Sequence, residues 1–437
     1  MQPGPFVRHR ATAVGLLLSS VVLTNAAAGE PAPDEPPPDR GVKVSALPVA
    51  SYGTDELWGF GAHFKLTDFG DGTKPPFLYS VEANVFATTG GVQSHWLGLD
   101  IPHVGGSPYR VTLQVAYDRA KFQPYYGLGN GSVNDSRFTD CDRDSLPSPP
   151  NSCPRQSPEN PQPNPDFRGI RYYQYDLLVF PRVELAVRRA LGGPWSWVVG
   201  YRFELVGFKP NYSPEDLGQT TGSQLSGDAS AGRLVGWDGR LQSFDQRILQ
   251  RYAEVSTGVR FDTRDNEFAP TRGVLHELTL RGAAHALGSE SNVWGANATL
   301  RFYQRIIPSY WRLVFALRLL ADVASDGSPF YISGPDGLGG RDTIRALTLD
   351  RYQGNARLIG NAELRWRAIS IGEFELGAVA GLDAGRVWAR LGQSDVGPFH
   401  VGAAAGLRIA WSHHFVIRAD AGIAPTTTFY LEFGEMF

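Results

Sequence analysis

Few residue clusters in this chain have the types and spacing that chemistry needs. Tyr125-Tyr-Gly-Leu-Gly-Asn-Gly131 is glycine-rich like a phosphate-cradling loop. It lacks the third-glycine spacing, and no helix follows to lend an N-terminal dipole, so it reads as a tight turn bordering the interior. Asp140-Cys-Asp-Arg-Asp144 gathers carboxylates as a calcium loop would, but Arg143 interrupts them and the ligand spacing is wrong. His413-His414 falls in an expected turn and reads as turn polarity rather than as metal ligands. There is no G-x-S-x-G elbow, no H-E-x-x-H and no Walker loop, since Gly70-Asp-Gly-Thr-Lys74 lacks the spacing. No catalytic residue, metal site or cofactor is therefore expected, and the chain does not read as an enzyme. Cys141 and Cys153 are the only cysteines. In an oxidising compartment they would close a small loop with a disulfide worth about 3 kcal/mol by chain entropy. What remains is charge: 41 Lys and Arg, of which 36 are Arg, against 44 Asp and Glu. That near balance removes the electrostatic case for nucleic acid as a partner.

These charges sit in a frame with a period of two residues. Tyr109, Val111, Leu113, Val115 and Tyr117 alternate with Arg110, Thr112, Gln114, Ala116 and Asp118, giving one apolar and one polar face. Trp195 to Glu204 and Val401 to Ser412 repeat the pattern. Sixteen such segments begin near residues 43, 57, 77, 93, 109, 170, 195, 247, 274, 292, 311, 355, 374, 399, 415 and 427. Most are long enough for a tilted strand to cross a bilayer, which takes ~9–11 residues. Connections alternate between short turns, such as Gly192–Pro194 and Ser370–Gly372, and long loops at 119–168, 208–246 and 324–353. Short inner turns and long outer loops are the habit of transmembrane barrels, and closure removes the exposed edges of so large a sheet. The expected fold is all-β: a 16-stranded antiparallel transmembrane β-barrel over 42–437.

The first residues read as an address. Arg8, His9 and Arg10 precede an apolar run from Ala13 to Thr24, and Ala26-Ala27-Ala28 supplies small residues for cleavage. We therefore expect a signal peptide over 1–28 and a Pro-rich linker over 29–41. In the last segment Phe429, Leu431, Phe433 and Phe437 share one strand face, which suits lipid and reads as a C-terminal assembly signal. Export together with a barrel points to the outer membrane of a Gram-negative-type bacterium.

Three motifs then resemble the BamA/TamA family, also called the bacterial surface antigen family. Asp262-Thr-Arg-Asp-Asn266 followed by Pro270-Thr-Arg-Gly273 resembles its inner-turn signature, with Asp262 and Arg264 opening the motif. Asp265 and Asn266 can cap such a turn, while Pro270 and Gly273 set the bend into the next strand. Gly339-Gly-Arg-Asp-Thr-Ile-Arg-Ala-Leu347, with Arg351-Tyr-Gln-Gly354 and Asn361-Ala-Glu-Leu-Arg365, lies where the family carries a V-R-G-[FY] tip on its sixth outer loop. Arg345 matches that tip, but Ala346 replaces the glycine and Leu347 the aromatic. Gly381-Leu-Asp-Ala-Gly385 matches the family's motif on the receiving strand. Parity places Asp383 with Glu375, Gly377, Gly381 and Gly385 on the lumen face, and Glu363 with Asn361, Arg365 and Arg367. The resemblance implies that the 324–353 loop folds into the barrel, with Arg345 paired to Asp383 and Glu363 as a second partner.

The family also carries periplasmic POTRA domains, and the stretch Gly29 to Gly41 has no room for one, so a barrel-only relative is expected. The resemblance implies an assembly or translocation barrel, assisting insertion or transport of protein or lipid across the outer membrane. Its expected partners are outer-membrane lipid, the barrel-assembly machinery for its own insertion, and an unfolded outer-membrane protein or lipid substrate. A passive porin-like channel and a surface-interaction barrel are the alternatives.

Overall fold

The computed structural model describes residues 40–71, 77–132, 155–157, 160–163, 173–210, 223–234, 247–266, 270–307, 313–325, 337–371, 374–393, 397–411, 415–433 and 436–437. The signal peptide, nearly all of the linker, Asp140 to Asp144, both cysteines and His413-His414 lie outside them.

Alternating apolar and polar residues become strands because successive side chains leave opposite faces of the backbone. The first five are β1 (Val42–Gly53), β2 (Leu57–Asp68), β3 (Tyr79–Thr88), β4 (Val92–Ile101) and β5 (Tyr109–Pro124). A separate small hairpin, β6 (Arg155–Ser157) with β7 (Asn160–Pro163), interrupts the series. There follow β8 (Gln174–Gly192), β9 (Trp195–Pro210), β10 (Ile248–Asp262), β11 (Gly273–Ala283), β12 (Val293–Ile307) and β13 (Leu313–Ala324). The series ends with β14 (Ala356–Ile371), β15 (Phe374–Trp388), β16 (His400–Trp411), β17 (Phe415–Ala424) and β18 (Thr428–Phe433). All but the hairpin pair with their neighbours in one closed antiparallel barrel of sixteen strands. The largest offset from the sequence reading is at β8, expected near 170 and beginning at Gln174.

Burial is inverted relative to a water-soluble fold. Leu97, Leu280, Trp294, Leu382 and Leu407 point outward and are exposed, whereas Arg202, Glu254, Arg318, Glu363 and Asp383 point inward and are buried. That is the pattern of a wall between lipid and a polar lumen. Inside, charges are neutralised across strands: Arg182 meets Asp118 at 2.9 Å and Arg408 meets Asp420 at 2.6 Å on neighbouring strands, while Arg281 of β11 reaches over β12 to Asp322 of β13 at 2.7 Å. An unpaired charge in that setting would cost several kcal/mol.

Loop residues pack into the outer end of the lumen. A short helix α1 (Gln224–Ser230), capped by the Ser223 hydroxyl on the Ser226 N–H, lies within the 211–247 loop. Leu225 and Leu234 pack there against Tyr125, Tyr175, Phe208 and Tyr252, and Tyr125 Oη donates to Asp228 at 2.7 Å.

The last segment departs from the expected single lipid face. Phe429 is exposed, but Phe437 is buried inside with Met436, Tyr303 and Ala316. Strand parity holds only while the chain remains a strand, and β18 stops at Phe433. Beyond it the Phe437 ring lies 5.2 and 4.9 Å from the Arg318 and Arg365 guanidinium groups, and Arg365 Nη2 donates to a Phe437 main-chain oxygen at 2.9 Å. A desolvated cation–π contact of about 2 kcal/mol rewards that inward turn. Phe437 therefore cannot be counted with the lipid-facing residues; Leu431 is only partly exposed.

Candidate functional site

Residues 337–355 fold inward as a compact tip. Two left-handed glycines, Gly339 and Gly340, turn the chain, and Gly340 N–H donates to Leu347 O at 2.9 Å. Thr343 Oγ1 closes the turn from both sides, accepting from Gly339 N–H at 2.8 Å and donating to Gly339 O at 2.9 Å. Leu338, Ile344, Leu347 and Tyr352 form an apolar backing against Ile359 and Val387 of the wall.

That backing presents Arg345 to β14 and β15. Its Nε and Nη2 donate to the two oxygens of Asp383 at 2.9 and 3.0 Å, a bidentate pair. Nη1 donates to Glu363 at 2.6 Å, and the Arg345 N–H donates to Asp383 at 3.1 Å. All three side chains are essentially inaccessible to solvent. The structure thus brings together the three residues singled out in the sequence. It adds two that parity did not nominate and brings in Asn361, which parity places beside Glu363. Asp420 of β17 lies 3.7 Å from Arg345 Nη1, and the Thr428 hydroxyl donates to Arg345 O. Asn361 Nδ2 donates both to Asp383 at 2.8 Å and to Thr343 O at 2.6 Å.

The two departures from the family tip have local answers. Ala346 is fully buried with no left-handed backbone, and the wall position it faces is Gly402, where a Cβ would press on the Ala346 methyl. Space lost by Gly-to-Ala in the loop is therefore given back by glycine in the wall. Leu347 joins the apolar backing. Gly422 of β17 serves the same fit, since a Cβ there would collide with the Arg345 carbonyl and the Thr428 hydroxyl.

The inner-turn motif lies between β10 and β11, at the opposite end of the wall. Asp262 accepts from Arg264 Nε and Nη2, both at 3.0 Å. Asp265 accepts from the Thr271 hydroxyl and from the N–H groups of Thr271 and Arg272, the latter two at 2.9 and 3.2 Å. Partial burial pushes the Asp265 carboxyl up, but these hydrogen bonds outweigh it and hold it below the usual carboxylate range. Gly273 is left-handed and packs on the Thr263 carbonyl, and Pro270 is buried. Asn266 also lies in the turn. The motif stands apart from Arg345 and works as a turn.

A second feature lies where the barrel closes. β1 pairs with β2 through twelve residues but with β18 through two, Tyr52 with Leu431 and Gly53 with Tyr430. Among the described residues, Val44 to Ser51 have no partner strand on the β18 side. The outer end of this seam is supported by side chains. Phe429 N–H donates to Thr54 Oγ1 at 2.7 Å, and Tyr430 Oη donates to Asp55 at 3.1 Å. Arg341 Nη1 donates to Glu56 at 3.1 Å and to Glu432 at 2.7 Å. Loss of solvent in the β1–β2 turn pushes the Asp55 carboxyl up to about 6.

Comparison with known proteins agrees with this geometry. Structurally, the chain is similar to BamA from Haemophilus ducreyi lacking POTRA domains 1-3, with a TM-score of 0.57 at 12% identity, covering 91% of this chain and 70% of that one. It is also similar to CdiB from Escherichia coli, with a TM-score of 0.52 at 13% identity, covering 91% and 63%. CdiB from Acinetobacter baumannii gives 0.52 at 13%, covering 90% and 60%. The chain thus spans less than two thirds of either CdiB. At these identities the likeness is one of fold. No curated protein matches the sequence. The Omp85 superfamily domain matches residues 195–428, from β9 to the first residue of β18. With more than half of its length so matched, the chain belongs to the Omp85 superfamily.

Proposed function

We propose that this barrel assists the insertion or transport of protein or lipid at the outer membrane of a Gram-negative-type bacterium, acting by strand templating rather than covalent chemistry. The observation that carries the reading is the seam. A strand paired on one side only presents a row of free N–H and C=O groups, which an incoming extended chain can complete. Over Val44 to Ser51, β1 has that form within the described residues. An unfolded outer-membrane protein is the client that best fits such an edge; the barrel itself would reach the membrane through the assembly machinery. The packing of α1, the 337–355 loop and Phe437 inside the wall weighs against a passive channel.

The test uses proteoliposomes and a urea-unfolded eight-stranded outer-membrane barrel as client. The wild-type protein should accelerate client folding over empty liposomes. A disulfide joining Tyr52→Cys to Leu431→Cys should return the rate to that of lipid alone. Equal rates for the free and cross-linked seams would overturn the proposal.

A further inference from the structure

We infer that Arg341 is the clasp of the β1–β18 seam and that it ties seam closure to the seating of the inward loop. This inference rests on the seam reading above and concerns how the seam is controlled. The seam has two register pairs, so side chains supply much of what holds it. Glu56 follows β1 and Glu432 lies on β18, on opposite sides of the closure, and both are buried. Two carboxylates held together away from water repel each other. One nitrogen, Arg341 Nη1, lies within hydrogen-bond distance of both. Removing it would do more than delete two ion pairs, since it would leave like charges facing each other across a joint of two backbone pairs.

The same short segment reaches the wall. Asp342 accepts from Arg418 Nη2 of β17 at 3.2 Å, and its main-chain oxygen accepts from Arg318 of β13. Thr343 O accepts from Asn361 of β14, and Arg345 holds Asp383 and Glu363. Arg345 lies four positions after Arg341, a span of at most ~14 Å even when extended. A loop that leaves Asp383 therefore pulls on Arg341, and a seam that opens pulls on the loop.

Hydrogen exchange of the full-length protein in nanodiscs tests this without any client. Arg341→Met should speed exchange of seam amides at Tyr52, Gly53, Tyr430 and Leu431 by about tenfold or more, while β8 and β9 stay protected and report an intact barrel. Adding Glu56→Gln and Glu432→Gln to Arg341→Met should restore most of the protection, because the repulsion is gone. A residue that merely fills space would not be rescued in that way. Asp383→Ala should also speed seam exchange, and Arg341→Met should add little to it. Wild-type seam exchange in Arg341→Met, or a fully protected seam in Asp383→Ala, would overturn the clasp. Client folding separates the two proposals. An opened seam with no gain for the client sinks the templating reading and leaves the clasp standing. An unchanged seam in Arg341→Met, with client folding still blocked by the disulfide, does the reverse.

Discussion

The wall from β14 to β17 and the seam between β1 and β18 use the same antiparallel geometry to opposite ends. β14 and β15 pair through fifteen residues, and a buried bidentate ion pair from the loop braces them further. The seam has two pairs and a bridging arginine. Backbone ladders are cooperative and come apart as units, whereas a side-chain bridge can be released by moving one residue. A barrel with one well-laddered wall and one clasped joint can open at the joint while the rest keeps its shape.

The largest expected effect comes from breaking the strong side of this contrast. Asp383→Ala leaves the Arg345 guanidinium buried beside fewer carboxylates, at a cost on the order of 3–5 kcal/mol. The loop should leave its seat, become a site of protease cleavage within 337–355, and turn small flickering single-channel currents into large steady ones. A protected loop with unchanged current would mean that the apolar backing of Leu338, Ile344 and Leu347 holds the loop without the ion pair. Gly422→Ala attacks the same seat through shape. The added methyl meets the Arg345 carbonyl, and overpacking of this kind costs about 1–3 kcal/mol. Partial cleavage of the loop, short of that in Asp383→Ala, is the expected outcome; wild-type resistance would show that β17 can shift to make room.

The strand frame was legible in the sequence because alternation of residues such as Trp197, Val199 and Tyr201 with Arg202 and Glu204 is a local signal. Arg345, Asp383 and Glu363 could be named because parity and a family motif pointed to the same residues. What stayed hidden depended on the third dimension. Glu56 and Glu432 are ordinary carboxylates 376 positions apart in sequence, and nothing local joins them to Arg341. Gly402 and Gly422 look like routine strand glycines until the loop is seated against them. Phe437 was misread because its parity was extended past the end of β18.

The smallest effect sharpens the seam side of the contrast. Asp55 lies in the β1–β2 turn facing Glu56, Arg341 and the Tyr430 hydroxyl, with Glu432 beyond Arg341. Burial raises its carboxyl to about 6, and the Glu56 charge adds to that. A Leu349 main-chain hydrogen bond, Tyr430 and Arg341 pull the other way. In an opened seam the same group should titrate near the ordinary value of about 4. Between those values the closed seam binds the extra proton, so closure gains stability as pH falls from 7 toward 4 and bears the cost of a buried charge above 6. Seam amides, corrected for intrinsic exchange, should therefore exchange more slowly at pH 5 than at pH 7. Asp55→Asn should flatten that slope and leave β8 and β9 unaffected. If the slope survives in Asp55→Asn, the acid response of the seam belongs to a group other than Asp55.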